Sequence, residues 1–397
     1  MVQQQTKSAE RYDAIIVGAR CAGSATALLL ARQGVKVLMV DRSNRLEDAL
    51  STHVLMRPAV TRLAQWGLLD DIIAAGTPIV NSTQFTYGME KVVVPVKADD
   101  RVPGLVAPRR WLLDALLLDA AVRAGVEFRN GTSFEGVHVD ASGRVDGAEL
   151  RSKTGETYPV STDIVIGADG LRSPVASSVG ARTISQSSKY TATAYAYVNG
   201  VPNQGYRWYY GEKIAAGLIP TNDDAHCFFV SCQPDDFADR IKSEPFDAML
   251  ESLEFWEPEL ARRLSKSEPR ERVRRFGGAQ GHIRDCAGRG WALVGDAGFF
   301  KDPVSAHGIS DAFLDAERLT RAFITSPGDI SSYQAERDKF APEMFRVTHE
   351  MASLGWSYDG IKSLHKRFSA CMKAEQAANI ANNTPSVLGI RFSGELA

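Results

Sequence analysis

The chain has 397 residues, of which 44% are hydrophobic and 24% charged, with a net charge of -2 at pH 7. That length can bury a sizeable two-domain core, and the near-neutral charge removes any global electrostatic case for nucleic acid. The polar start lacks an apolar signal core, no apolar run reaches about 18 residues, and the cysteines form no CxxC, so a cytoplasmic protein with reduced thiols and no membrane span is expected.

In chain order, Tyr12 to Val17 reads as a buried strand. Gly18-Ala-Arg-Cys-Ala-Gly23 follows at once, then an Ala/Leu-rich helix from Ser24 to Arg32 and a second strand from Val35 to Val40, closed by Asp41 and Arg42. This is the strand–turn–helix–strand unit that binds dinucleotides, with an acid placed for a ribose 2′-hydroxyl. Arg20 stands where a second glycine would let the backbone approach a pyrophosphate; its guanidinium either reaches a phosphate or caps a surface turn. Thr83 to Val96 reads as a hairpin turning at Gly88-Met-Glu90, and Arg110 opens a Leu-rich helix. Phe134 to Leu150 reads as two strands turning at Ala141-Ser-Gly143, and the apolar strand starting at Asp163 ends in Gly-Ala-Asp169-Gly170.

Tyr190 to Val230 reads as several strands, with alternation in Thr191 to Val198 and aromatics at Tyr195, Tyr197, Trp208, Tyr209 and Tyr210. The basic run Arg270 to Arg275 reads as a solvated strand face. Trp291 to Val294 is a short apolar strand running into Gly295-Asp296. Lys301 and Asp302 flank Pro303, where they either face the site or belong to a solvated loop, and Gly308-Ile309 start a helix carrying Asp311, Asp315 and Glu317. An acid at a strand end can bind sugar-like hydroxyls, and the free N–H groups of a helix start can hold partial negative charge on a flat ring. Ile330 to Leu354 and Ile361 to Ala378 are helix candidates. The seven histidines show no metal-ligand spacing.

Three strand ends with Gly/Asp chemistry, in this order, resemble the flavoprotein monooxygenases of the aromatic-hydroxylase type. The Gly-Ala-Arg-Cys-Ala-Gly form is also similar to geranylgeranyl reductases and flavin halogenases. The resemblance implies an α/β fold: a Rossmann-like FAD-binding domain (1–82, 101–183, 273–330), an inserted, mostly antiparallel β substrate domain (83–100, 184–272) and a helical C-terminal segment (331–397). It implies that Gly18, Arg20, Cys21, Ala22 and Gly23 surround the FAD pyrophosphate, and Asp41 and Arg42 the adenosine ribose. Arg110 serves the flavin side, Asp169 and Gly170 touch FAD and the nicotinamide donor, Gly295 and Asp296 serve the ribityl region, Pro303 the isoalloxazine, and Gly308 and Ile309 its pyrimidine end. His307, His53 and Pro303 are the catalytic candidates, and Tyr197, Trp208 and Tyr210 the substrate contacts.

The implied activity is a monooxygenase. NAD(P)H, a transient donor without a Gly-rich unit of its own, reduces the flavin. Molecular oxygen then adds, and a C4a-hydroperoxide hydroxylates a small aromatic or polycyclic organic substrate. The alternatives are a reductase or dehydrogenase on the same FAD fold, a halogenase, or a non-catalytic flavin- or drug-binding protein. Gly298-Phe299 replaces a more usual Ala-His pair, Ser310 an Asn and Ala176 an Arg, and the halogenase signature Trp-x-Trp-x-Ile-Pro is missing. NADH versus NADPH and the oligomeric state stay open.

Overall fold

The computed structural model describes residues 10–44, 47–240 and 245–382. The last part of the C-terminal segment, 383–397, lies outside the described residues. Five parallel strands form the centre of the first sheet, in the order Trp291–Leu293, Thr157–Gly167, Glu10–Val17, Val37–Asp41, Glu127–Asn130. The hairpin Ser133–Val139 and Val145–Arg151 adds to it antiparallel, on the long strand Thr157–Gly167. Its central strands are covered on both faces, so Ala14 to Val17 and Val37 to Val40 are continuously buried rather than alternating.

The register decides where the chemistry gathers. Val17 pairs with Val40 and Gly167, and Gly167 pairs with Leu293. Four strands therefore end level with one another, and Gly18, Asp41, Asp169 and Asp296 leave the sheet at one carboxyl edge, where open α/β sheets bind their ligands.

Two local boundaries differ from the sequence expectation. The first helix is Cys21–Arg32 and begins three residues before Ser24, because Gly18 at φ +105° turns the chain and Arg20 is already the extended N-cap. The second strand starts at Val37, since the Val35 N–H closes the preceding helix on the Leu30 carbonyl. In the C-terminal segment, Ile330 to Leu354 is two helices, Ser331–Asp338 and Ala341–Met351. Pro342, which lacks an N–H, sits in the first turn of the second.

The second sheet is a seven-stranded roof, in the order Arg274–Phe276, Ala192–Val198, His226–Cys232, Ile214–Pro220, Tyr206–Gly211, Ser82–Tyr87, Glu90–Pro95. Side-chain alternation splits it. Tyr195, Tyr197, Tyr206, Trp208, Tyr210 and Phe229 join the core of the cofactor domain. Ala194, Ala196, Tyr209, Leu218, Phe228 and Val230 form a separate core with Met249, Leu250, Leu253, Leu260 and Leu264 of the helices Pro245–Glu254 and Pro258–Leu264. The central strands of the roof are thus buried on both faces, while the edge strand Glu90–Pro95 is exposed along its length, and the aromatic face is turned to the carboxyl edge of the first sheet. Among the described residues no helix is long and apolar enough to cross a membrane.

Candidate cofactor and active site

The first turn is built by close backbone approach. A Cβ on Gly18 would lie 2.4 Å from the Ala168 carbonyl oxygen, and one on Gly23 would lie 1.8 Å from that of Gly18. Only glycine allows the turn, the helix start and the third strand end to pack this tightly. Asp41 pins the same turn, accepting the Ala19 N–H at 2.9 Å and the Ser43 N–H at 2.8 Å. Arg42 is exposed beside it.

Arg20 turns sideways along the cleft. Its Nη1 donates to Asp114 Oδ2 at 2.9 Å and to the Glu47 carbonyl at 3.1 Å. Asp114, fully buried, also holds Arg110 through Nε and Nη2 at 3.0–3.3 Å and accepts the Cys21 thiol at 3.1 Å. Burial pushes that thiol far above its ordinary range, so Cys21 is a hydrogen-bond donor and not a nucleophile. One carboxylate between two guanidinium groups leaves net positive charge beside a helix N-terminus, a setting that attracts phosphate. Sequence reasoning missed Asp114; its only signal was the i,i+4 spacing from Arg110.

The late motif carries the most telling pattern of exposure. From Ala292 to Asp302 every residue is buried except Asp296, and Pro303 and Gly308 are the next exposed positions. Three residues separated in sequence thus open onto the cleft from an otherwise packed segment. Asp296 meets water through that opening but is walled by protein: burial and the nearby Asp311 push its carboxyl up to about 6, against Lys301 and Arg110. Asp315 accepts the Gly295 N–H at 3.0 Å and is pushed up to about 7 by burial. On the neighbouring strand end, Asp169 caps a short helix through the Val175 N–H at 3.0 Å, and its Oδ1 is buried without a partner.

Lys301 and Asp302 are not a solvated loop, since both are buried. Asp302 accepts the Thr191 N–H at 2.6 Å, the Thr191 hydroxyl at 2.8 Å and the Val304 N–H at 2.9 Å, which ties the Pro303 loop to the roof. Lys301 is ion-paired with Asp311, whose other oxygen binds His307 Nδ1 at 2.9 Å. Burial opposes the charge on Asp311, but Lys301 and His307 outweigh it and hold the carboxyl below its ordinary range. His307 is buried at the start of the helix Gly308–Thr325, its Nε2 without a hydrogen-bond partner among the described residues and its ring edge-on to Phe368.

Between the Pro303 loop and the roof lies a cavity lined by Thr52, Thr193, Trp208, Tyr210, Phe229, Ser231, Pro303 and Val304, with no charged group. Trp208 and Tyr210 thus meet Pro303 in one space, and the Trp208 indole N–H has no partner. Tyr197 lies elsewhere, sandwiched between His53 (ring centroids 5.7 Å apart) and the Arg109 guanidinium at 3.6 Å. Arg109 is in turn held by Asp48 and by Glu271 at 2.7 Å. His53 is buried at φ +45°, and its ring makes no side-chain hydrogen bond among the described residues, its nearest backbone acceptor being Ala107. Burial and Arg109 drive its pKa down to about 3, so its ring is neutral. The C-terminal helix Tyr358–Asn382 closes the far side: His365 packs 4.6 Å from Tyr210 and binds the Tyr87 hydroxyl at 2.8 Å through Nδ1. Among the described residues no cluster of His, Cys, Asp and Glu could hold a metal ion.

The glycine cradle, the level strand ends and the opening at Asp296, Pro303 and Gly308 suit a long dinucleotide lying across the carboxyl edge. The family model for the FAD binding domain matches residues 11–348. The chain belongs to that family. It is 25% identical over 320 residues to a digeranylgeranylglycerophospholipid reductase of Methanococcoides burtonii, covering 77% of this chain and 72% of the reductase. Among solved structures, a probable FAD-dependent monooxygenase from Pseudomonas aeruginosa superposes with a TM-score of 0.76 at 20% identity, over 92% of this chain and 100% of that one. The flavin-dependent brominase Bmp2 superposes at 0.73 and 19% identity, over 96% and 94%. These likenesses carry the fold, an α/β FAD-binding domain with an antiparallel roof and a C-terminal helix. The chain is a FAD-dependent oxidoreductase, and the named relatives divide between reduction, oxygenation and halogenation.

Proposed function

We propose that the protein is a NAD(P)H-using, FAD-dependent monooxygenase acting on a small aromatic or polycyclic substrate. The observation that carries this reading is the uncharged, aromatic-walled lining between the roof and Pro303, whose free space of about 20 Å³ has to widen by side-chain movement to admit a ring. Oxygen transfer to an organic ring needs a site that excludes water, and this lining offers no charged group to retain it. FAD, when bound, supplies hydride acceptance and oxygen activation. The chain's own residues do the rest. The turn Gly18 to Gly23, with Arg20 and Arg110 held by Asp114, seats the pyrophosphate. Asp41 and Asp296 accept from ribose and ribityl hydroxyls. Gly308 and Ile309 present helix-start N–H groups. The Asp311 carboxylate draws the His307 proton onto Nδ1, which leaves Nε2 a bare acceptor able to hold a proton. Trp208, Thr193 and Ser231 offer the substrate its polar contacts.

The test is oxygen accounting with a panel of phenols and fused-ring aromatics. Substrate-stimulated NAD(P)H oxidation, matched by oxygen uptake and by one labelled oxygen atom in the product, supports the reading. Turnover that proceeds without oxygen and yields a reduced product overturns it in favour of a reductase, the activity of the 25%-identical relative. Product that forms only with added halide overturns it in favour of a halogenase.

Two substitutions separate cofactor contact from scaffold. Asp296→Ala is expected to raise the FAD dissociation constant by roughly 10- to 100-fold, the loss of a charge-assisted hydrogen bond of about 1.5–3 kcal/mol. It should leave the melting temperature of the cofactor-free protein unchanged or higher, since an unfavourably placed carboxylate is removed. Asp302→Ala should do the reverse, because it strands three buried donors at about 1–3 kcal/mol each. Equal FAD affinities and equal melting temperatures would reject both assignments. His307→Ala is expected to keep FAD but divert NAD(P)H oxidation into hydrogen peroxide. Peroxide measured against oxygenated product decides this, and wild-type coupling would make His307 a structural residue.

A further inference from the structure

The outer side of the roof holds a second cleft that the cofactor reading does not use. Its cavity of about 590 Å³ falls within the size range of small-molecule sites. The helix Pro245–Glu254 turns Met249, Leu250 and Leu253 into the outer core. Ala248, Glu251, Ser252 and, one turn on, Phe255 are left along the opposite stripe, and all four line the cleft. Facing them are Glu212, on the tip of the hairpin joining Tyr206–Gly211 to Ile214–Pro220, and Tyr358, in the first turn of the C-terminal helix. Trp256 backs the cleft, buried against Tyr209, and its indole N–H has no partner among the described residues. Phe255 and Tyr358 are 56% and 41% exposed, so the cleft presents aromatic surface to solvent.

The charges on this lining have one sign. It contains Glu212 and Glu251 and no lysine, arginine or histidine. Neither carboxylate makes an ion pair or hydrogen bond with a described residue, so both are free to meet a ligand. Aromatic faces attract cations through their quadrupoles, and carboxylates add to that attraction. The same lining repels phosphate-bearing molecules, which excludes FAD and the nicotinamide donor as occupants.

We propose that this cleft binds a small organic cation with an apolar body, its ammonium group between Glu212 and Glu251 and its body against Phe255, Trp256 and Tyr358. The cleft is separate from the roof cavity, yet the hairpin whose tip forms it also carries Trp208, Tyr210 and Ala215 of that cavity. Its test does not depend on which reaction the flavin site performs.

Titration calorimetry of the FAD-loaded protein with phenyltrimethylammonium, benzyl alcohol and benzoate is the experiment. The cation is expected to bind, with the neutral and anionic rings at least about tenfold weaker. Glu212→Gln with Glu251→Gln should weaken the cation by about tenfold and leave the flavin spectrum unchanged, since both residues are exposed and distant from the cofactor edge. Phe255→Ala should weaken it independently. Equal affinity for benzyl alcohol, an unchanged affinity in the double variant, or no binding heat for the cation would overturn the proposal. So would a fall in sedimentation mass for Phe255→Ala, which would make this patch a contact between copies of the chain.

Discussion

Gly18→Ala is expected to abolish FAD binding and to cost the fold about 2–6 kcal/mol. Two separate penalties meet at this residue. Its φ of +105° is a region that side-chain-bearing residues occupy only at about 1–3 kcal/mol. Its Cβ would also stand 2.4 Å from the Ala168 carbonyl oxygen and 2.8 Å from the carbonyl carbon, and overpacking adds about 1–3 kcal/mol more. Neither neighbour can rotate away, because both are backbone at the end of the central strand Thr157–Gly167. Relief requires the first turn to lift off the third strand end, which spreads the carboxyl edge on which the dinucleotide would lie. Gly34→Ala is the control. Gly34 also has a positive φ, +81°, but no atom lies within 4 Å of its would-be Cβ, so only the backbone penalty of about 1–2 kcal/mol applies. Chemical denaturation of the two cofactor-free variants, followed by FAD titration, gives both quantities. Equal losses would mean that the approach at Ala168 is unimportant.

The comparison shows what kind of information the sequence held. Gly18 and Gly23 were legible because glycine at a strand–helix junction has few other uses, and the burial of Ala14 to Val17 was legible because a run of apolar residues can be satisfied only by cover on both faces. The aromatics of the roof could be placed on strands, but alternation does not say which face meets the cofactor domain. Trp208 and Tyr210 share the Pro303 cavity, whereas Tyr197, on the same face, stacks on His53 and Arg109 instead.

Charged residues were the least legible. Lysine and aspartate beside a proline read as solvent-exposed loop, and the burial of Lys301 and Asp302 depends on partners that no local pattern announces. Thr191, which Asp302 holds, is 111 residues away. Asp114 sits in a Leu-rich helix, and its partner Arg20 is 94 residues earlier. Asp48, Arg109 and Glu271 converge from three segments. A buried charge is satisfied by tertiary structure alone, so a single sequence discloses its type and conceals its environment.

Lys301→Met should be among the most damaging single changes outside the backbone. It removes the cation from a buried Lys301–Asp311–His307 chain and leaves Asp311 with the imidazole as its sole close partner. Stranding one member of a buried pair costs about 3–5 kcal/mol, far more than an exposed pair is worth. The pH dependence identifies the cause. In the wild-type protein the Asp311 carboxyl is held below its ordinary range, so its contribution is present above the unfolded pKa and is lost as pH falls through the folded value. Without Lys301, burial dominates and the folded pKa rises. The fold then favours the protonated acid, and stability is lost as pH increases. The stability gap between variant and wild type should therefore be small near pH 5 and widen toward pH 8. Lys301→Met combined with Asp311→Leu should recover much of the loss at pH 8, because no carboxylate remains to be stranded, while His307, freed of the acid that orients its Nδ1, should no longer sustain coupled turnover. A gap independent of pH, or a double variant as unstable as the single one, would show that Lys301 acts by filling space against Phe299, whose ring lies 4.6 Å from its ammonium group, and not through charge.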